Sequence, residues 1–505
     1  MKDFDVVIIG SGVGGGAIAL SLMPTGARIL LIERGPRLAR ERQNRDAEAV
    51  FVEQRYRTTE TWFDGKGRPF RPGQYYFVGG HTKFYGCAMF RLRERDFELI
   101  EHEEGVSPAW PIRYADLEPY YGQAEQLFGV HGRNGDDPTE PPHSTPYPHP
   151  PVPHEPVIAQ LAERLQGLGL RPAPMPAAID LGPEGRCERC GTCDAFPCLV
   201  DAKGDAEICL VNPALRQPNV TLWTESLVTR LVTDESGKRI VAAQVQRKSG
   251  GDEEQEVRAD LFVLAAGAIN SSVLLQRSAT PRHPNGLANR SGVVGRHYMN
   301  HNCTAFLTID PRRVNDTKFP KTLSVNDFYF GGSASKTPLG NLQLLGKIQE
   351  PMLRAAMSWA PRALRAWTAR HSVDWYVMSE DLPHPESTVR PHGENSIEMR
   401  WRRTNLRAHR RWVATARRLL KDAGLPIVLS RPFGEDTPSH QCGTVRFGTD
   451  PATSALDPLC KAWDHDNLYV VDASFFPSSG ALNPALTVAA QALRVGEHLR
   501  NVVRR

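Results

Sequence analysis

Three glycines near the N-terminus have the spacing of a dinucleotide-binding loop. Gly10, Gly12 and Gly15 form the pattern G-x-G-x-x-G, and Glu33 follows eighteen residues after the last of them. One glycine permits the tight turn, the second lets the backbone approach a pyrophosphate, and the third lets helix and strand pack closely. An acid about 20 residues further on holds a ribose hydroxyl. The pattern predicts a site for FAD or NAD, and Glu33 disfavours a 2′-phosphate because of like charge.

Four cysteines lie close together in a second stretch, and their thiolates could bind a metal ion or form disulfides. Cys187, Cys190, Cys193 and Cys198 have the spacing C-x2-C-x2-C-x4-C. Gaps of two residues let successive thiolates converge on one metal ion, so an iron–sulfur cluster and a four-thiolate zinc are two open interpretations. Disulfides or free thiols that staple a loop are the third. The spacing alone does not choose among the three.

Short apolar runs surround the glycine loop and must position it. Val6–Ile9 and Ile29–Ile32 flank the loop and a helical stretch, which is the strand, turn, helix, strand order of one βαβ unit. Two further apolar runs, 261–266 and 468–471, are typical of buried parallel strands. An apolar helix is predicted over 485–499. These elements predict an α/β protein with a Rossmann-like dinucleotide domain built on a parallel sheet.

The remaining segments differ in character. Residues 138–156 contain nine prolines and are predicted to be an extended connector. Residues 304–400 alternate and carry turns, which predicts a second, α+β domain on an antiparallel sheet. The predicted division is a discontinuous dinucleotide domain at 1–100, 200–300 and 436–505, a connector with the cysteine-rich insertion at 101–199, and a substrate domain with a lid at 301–435.

Composition excludes several classes of protein. The chain has 505 residues, of which 40% are hydrophobic and 23% are charged, so it builds large cores and is not a disordered chain. The net charge is +4 without a long basic block, which argues against nucleic-acid binding. No apolar stretch approaches the ~20 residues that span a bilayer. The N-terminus lacks the pattern of a secretory signal, so we expect a cytoplasmic protein.

Three distant segments match one pattern together. They are FVGGHTKFYGCAMFRLRERDFE at 77–98, LAAGAINSSVLLQRS at 264–278, and the C-terminal block at 440–499 with its HQCGT and SGALNPALT motifs. With the N-terminal GSGVGGG, they resemble the glucose-methanol-choline (GMC) oxidoreductases, a family of FAD enzymes that oxidise alcohols. Through the cysteine insertion and the HQCGT form, the chain is similar to the bacterial sugar-oxidising branch. The resemblance covers almost the whole chain.

The resemblance implies a role for each position that matches a family motif. His440 matches the catalytic histidine, and Asn483 matches the second member of the pair that faces the flavin. Removing a hydride from carbon requires that a base take the hydroxyl proton, and histidine is neutral near the working pH. The other positions implied to contact FAD are Gly79, Gly80 and Thr82 in a loop near the flavin, Val228 near the adenine, and Asp472 near the ribityl and pyrophosphate.

Three further positions carry expectations. Some family members attach the flavin through a histidine in the glycine loop; here His81 precedes that position and Phe84 occupies it, which predicts non-covalent FAD. Glu380 follows a strand that the resemblance places on the substrate side of the flavin, so it is a candidate for binding substrate hydroxyls or an ammonium group, with a plain surface acid as the alternative. His301 is expected only to order a loop.

The sequence therefore predicts FAD-dependent oxidation of an alcohol group of a sugar, glycoside, aminosugar or polyol, with hydride transfer to flavin N5 and His440 as the base. Oxygen or a redox acceptor protein takes the electrons. One alternative is an NAD-dependent zinc alcohol dehydrogenase that uses Glu33 and the cysteines. The other is a non-catalytic electron-transfer subunit, against which the intact His440 and Asn483 argue.

Overall fold

The computed structural model describes residues 3–248, 254–437 and 440–503. Within these ranges the α-helices are Val13–Leu22, Tyr114–Phe128, Pro156–Gly167, Asn212–Ala214, Ala268–Arg277, Arg362–His371, Leu406–Asp422 and Ala485–Val503. None of them combines the length and the apolar character that crossing a membrane requires.

A parallel sheet carries the glycine loop. Its strand order is Val220–Trp223, Ile29–Ile32, Val6–Ile9, Leu261–Leu264 and Leu468–Val470. The last four are buried along their whole length, which explains why their sequences are continuously apolar and do not alternate. The prediction that these four runs are parallel strands is confirmed.

The first and last helices pack together beside the loop. The helix Val13–Leu22 contacts the helix Ala485–Val503, which extends beyond its predicted end. A Cβ atom at Gly496 would lie 2.4 Å from the Cβ of Ser21, so the two helices approach closely only with glycine there. This packing places the C-terminal helix next to the helix that follows the glycine loop.

Other sheets complete the structure, and the predicted antiparallel second sheet is confirmed. The largest has the strand order Ile427–Pro432, Asn302–Ile309, Ser372–Ser379, Asn341–Leu344, Leu323–Val325 and Ala173–Pro174. The others contain Ser226–Thr233, Ile240–Arg247 and Glu254–Arg258; Thr388–His392, Ser396–Arg400, Trp62–Asp64 and Pro69–Phe70; Ile100–His102 and Gly105–Ser107; and Val130–His131 and Ala177–Ala178. The domain boundaries given above stay a prediction.

The largest antiparallel sheet has one face on a helix and the other on a cavity. In the strand Ser372–Ser379, Trp375 packs in one core with Trp412 of the helix Leu406–Asp422. Successive side chains of a strand point to opposite faces. Asp374 and Tyr376 accordingly line the cavity.

Candidate active site

A cavity of about 1680 Å³ is lined by the glycine loop and by the largest antiparallel sheet. Ordinary ligand sites measure about 300–1,000 Å³. This cavity therefore has room for a dinucleotide and a small substrate side by side. All the predicted dinucleotide contacts except Gly15 line it.

Each glycine of the loop meets a different steric demand. Gly10 has φ +101°, a conformation that favours glycine. A Cβ atom at Gly15 would lie 1.9 Å from the carbonyl oxygen of Gly10, so only glycine lets the helix approach the strand. A Cβ atom at Gly12 would meet no protein atom within 4 Å, yet Gly12 caps the helix and lines the cavity. The space beside Gly12 and the first N–H groups of the helix fit the pyrophosphate of FAD.

Alanine at these two positions should separate folding from cofactor binding. We expect Gly12→Ala to fold like the wild type but to bind FAD at least about tenfold more weakly, because its methyl group occupies the pyrophosphate space. Gly15→Ala is expected to lower the unfolding temperature of the apoprotein as well, because its methyl group meets backbone. Flavin titration and thermal unfolding of the apoproteins measure both effects. A Gly12→Ala protein with wild-type FAD affinity would place the pyrophosphate elsewhere.

Glu33 ends its strand beside the loop, with its carboxylate buried. The carboxylate accepts hydrogen bonds from the Ser11 hydroxyl at 2.6 Å, from the Gly35 N–H at 2.9 Å and from the Ser11 N–H at 3.2 Å. Burial raises the pKa of Glu33, although these donors oppose the shift. Glu33 therefore lies on the cavity wall next to the loop, where the ribose contact was predicted.

A second loop closes over the first. Gly79 and Gly80 have φ +91° and +57°, and the Gly79 N–H donates to the Ser11 hydroxyl at 3.2 Å. Thr82 Oγ1 donates to the Gly79 carbonyl at 2.6 Å, which closes the turn. A Cβ atom at Gly80 would lie 3.3 Å from the Cα of Gly12, so the two loops touch.

Asp472, two residues after the strand Leu468–Val470, and Val228, in another strand, line the same cavity. The buried Asp472 carboxylate accepts from the Gly267 N–H at 3.0 Å, from the Ser474 N–H at 2.9 Å and from the Ser271 hydroxyl. Burial raises the pKa of Asp472, and these donors oppose that shift. Val228 lies in the strand Ser226–Thr233, next to a break in its pairing register.

His440 and Asn483 also line the cavity and contact each other. His440 Nε2 lies 3.2 Å from Asn483 Nδ2. The backbone of His440 has φ +59°, a left-handed conformation that costs about 1–3 kcal/mol for residues other than glycine and concentrates at functional sites. Asn483 Oδ1 accepts a hydrogen bond from Gln343 Nε2 at 3.0 Å, so its amide nitrogen faces His440.

A second histidine determines which nitrogen of His440 carries the proton. His301 Nε2 lies 3.1 Å from the Ser479 carbonyl oxygen, which only accepts, so His301 carries its proton on Nε2. His301 Nδ1 is then an acceptor, and His440 Nδ1 lies 2.8 Å from it and must donate. In neutral His440 this leaves the lone pair on Nε2, beside Asn483.

The electrostatics keep both histidines neutral. Burial lowers the pKa of His440 well below its ordinary value, and the nearby His301 and Lys321 lower it further. Burial also lowers the pKa of His301, although the Ser479 carbonyl and Glu380 act in the opposite direction. The arrangement is a neutral base whose Nε2 lone pair points to the cavity beside an amide donor.

Sequence reasoning missed the residues that support this pair. His301 contacts the base directly and does more than order a loop, and Gln343 and the Ser479 carbonyl complete the network. His301 and His440 are 139 positions apart, so no local spacing connects them. The one available signal was a histidine three residues before the alternating segment that begins at residue 304.

The expectation that Glu380 contacts substrate is not supported. Glu380 is buried outside the described lining of the cavity, where its carboxylate accepts from the Ser107 hydroxyl at 2.7 Å and lies 3.1 Å from His102 Nε2. It also accepts from the Gly480 N–H at 3.3 Å. Its burial contradicts the alternative of a plain surface acid, and its partners are protein groups outside the described cavity lining. It is an internal anion behind His301.

The metal site predicted at the four clustered cysteines is also not supported. Within the part of the chain that the structure describes, no three His, Cys, Asp or Glu side chains are grouped to hold a metal ion. Cys190 is exposed, and Cys193 Sγ lies 3.9 Å from Cys87 Sγ. All nine cysteines are free thiols, so of the three interpretations only free thiols agree with the structure.

Comparisons with known proteins show the family and the fold of the chain. Two family models described as GMC oxidoreductase match residues 73–303 and 383–492. The chain is 32% identical to the 6'''-hydroxyparomomycin C oxidase of Streptomyces lividus, over 97% of this chain and 90% of the relative. It is 31% identical to the paromamine 6'-oxidase of Streptomyces fradiae, with the same coverage. The solved pyridoxine 4-oxidase from Mesorbium loti has the same fold, with a TM-score of 0.65, 18% identity, and coverage of 98% of this chain and 99% of that one.

Proposed function

Because the chain belongs to the GMC oxidoreductase family, whose members bind FAD and oxidise alcohols, we propose that it oxidises an alcohol group of a sugar-like small molecule to a carbonyl group. The observation that carries the proposal is the His440–Asn483 pair, whose unprotonated Nε2 faces the cavity that also holds the dinucleotide loop. The alternative of a zinc alcohol dehydrogenase loses its support, because the four clustered cysteines form no metal site among the described residues. The presence of both His440 and Asn483 still argues against a non-catalytic subunit.

The chain's own residues handle the hydroxyl proton. A substrate hydroxyl that enters between His440 and Asn483 donates to His440 Nε2 and accepts from Asn483 Nδ2. Bound FAD supplies the acceptor for the hydride that leaves the carbon. As Nε2 takes up the proton, the Nδ1–H of His440 remains bonded to His301, which stabilises the positive ring. Holding the hydroxyl at two points orients the C–H bond, and such positioning contributes much of the rate.

The names of the relatives support a proposal for the substrate class. Both relatives named above are oxidases of aminoglycoside-type compounds by their names, and the chain aligns with each over nearly its whole length. We propose that this chain oxidises an alcohol group of an aminosugar glycoside. As in the relatives, dioxygen is the proposed electron acceptor.

FAD is proposed to bind without a covalent bond. Phe84, which lies where other family members have the attaching histidine, lines the cavity and stacks on Tyr75 at 4.0 Å between ring centroids. His81 also lines the cavity, and its Nε2 lies 2.9 Å from Gln74 Oε1. The glycine loop, Glu33 and Asp472 are the residues proposed to hold the cofactor.

Anaerobic titration of the purified holoenzyme tests this function. We expect an aminosugar glycoside such as paromamine to bleach the flavin spectrum, and air to restore it with release of hydrogen peroxide. Acid precipitation of the same preparation should leave all the flavin in the supernatant. A protein that takes up FAD but is bleached by no sugar-like alcohol would contradict the proposal, and flavin retained in the pellet would contradict non-covalent binding.

A further inference from the structure

The cavity wall carries a buried carboxylate that the oxidation mechanism does not use. Asp374 lies on the strand Ser372–Ser379, two residues before Tyr376, and both side chains line the cavity. The Tyr376 ring is adjacent to the His440 ring, with 6.2 Å between centroids. Asp374 is therefore about 7 Å from Tyr376 along the strand, on the same wall of the cavity.

The Asp374 carboxylate is poorly satisfied by the protein. Only 4% of the residue is exposed, and its Oδ2 accepts one hydrogen bond, from the Ile348 N–H at 2.9 Å. Across the described residues, Oδ1 has no hydrogen-bond partner and no cationic side chain lies within 4 Å. The nearby Lys347 instead donates to the Ser372 carbonyl at 2.6 Å. Burial raises the pKa of Asp374, and the charge of Lys347, the Ile348 N–H and the Ser372 side chain oppose the shift.

The other acids in this cavity differ from Asp374. Glu33 and Asp472 are equally buried, but each accepts three hydrogen bonds. The half-buried Asp194 pairs with Lys321 at 2.7 Å. A buried carboxylate without such partners is costly unless a ligand completes it. Asp374 is thus a carboxylate of the cavity with one oxygen, Oδ1, that accepts no hydrogen bond from the described residues, while the cation of Lys347 lies nearby on the same lining.

We propose that Asp374 binds a protonated amino group of the substrate, so that the enzyme selects amino-bearing sugars over neutral ones. The inference rests on the proposed function and adds the residue that recognises the amine. An ammonium group would donate to Oδ1 and neutralise the buried charge.

Binding is measured separately from turnover. His440→Ala holoenzyme, which should hold FAD without oxidising substrate, is titrated by calorimetry with paromamine and with its N-acetylated derivative, which lacks the positive charges. We expect the free amine to bind about 100-fold more tightly than the acetylated form. Adding Asp374→Asn should remove that difference and leave the affinity for the acetylated form within about threefold. Adding Glu394→Gln, which changes an exposed acid of the same cavity, should leave the difference intact.

The outcomes separate this inference from the proposed function. An amine preference that survives Asp374→Asn, or that Glu394→Gln removes equally, overturns the assignment of Asp374. An amine preference lost only with Asp374→Asn supports it, even where the wild-type flavin is not bleached by paromamine and the proposed function fails. Because Asp374→Asn keeps the shape of the side chain, it should unfold at a temperature close to that of its parent, and thermal unfolding of both proteins checks that misfolding is not the cause.

Discussion

Replacing His440 with alanine is expected to slow the reduction of bound flavin by substrate by about 10³-fold, the usual contribution of a positioned general base. The alanine protein retains Asn483 to bind the hydroxyl but has no group to take its proton. FAD should remain bound, because the glycine loop and Glu33 lie in other elements of the cavity. Stopped-flow absorbance under anaerobic conditions gives the rate, and the flavin-to-protein ratio gives cofactor content.

The pH dependence of that rate is a second readout of the same residue. Because burial holds the pKa of His440 well below its ordinary value, its neutral form persists as the pH falls through 6.5. The wild-type rate of flavin reduction should therefore stay constant through that region and fall only at lower pH. An alanine protein that is bleached at the wild-type rate would show that another group takes the proton.

Replacing His301 with phenylalanine is expected to slow flavin reduction by about 100-fold. Phenylalanine fills similar space but accepts no hydrogen bond, so the Nδ1–H of His440 loses its partner at 2.8 Å. The tautomer with the lone pair on Nε2 is then no longer selected, and a base that presents the wrong nitrogen cannot take the proton. The KM for substrate should change little, because His301 contacts the base and lies behind it.

Asparagine at the same position is the matched control. The Oδ1 atom of His301→Asn can accept from His440 Nδ1, so flavin reduction should recover to within about tenfold of the wild-type rate. A merely structural role for His301 would predict that both variants lose FAD or unfold at a lower temperature together. Equal rates in the phenylalanine and asparagine proteins, whether fast or slow, would contradict the assigned role.

The sequence alone determined the dinucleotide unit. Gly10, Gly12 and Gly15 act on backbone within one turn, and the apolar runs on either side are continuous because both faces of a parallel sheet are buried. These signals lie within about 30 residues, and the two strands that they predicted, Val6–Ile9 and Ile29–Ile32, pair in parallel in the sheet. The family motifs likewise identified His440 and Asn483 as a pair, and the structure places them in contact.

Only the tertiary structure decided what surrounds that pair. His301 contacts the base, Gln343 contacts Asn483, and the Ser479 carbonyl contacts His301. Glu380 proved to be an internal anion. The cysteine spacing permitted a metal site, but the described residues hold no group of three possible ligands that could bind a metal ion. Spacing determines neighbours along one element, whereas burial and hydrogen-bond partners depend on how distant elements pack. For the same reason, the sequence does not distinguish Asp374 from its other acidic residues. Only the structure shows that Asp374 is buried on the cavity wall and that its Oδ1 accepts no hydrogen bond from the described residues.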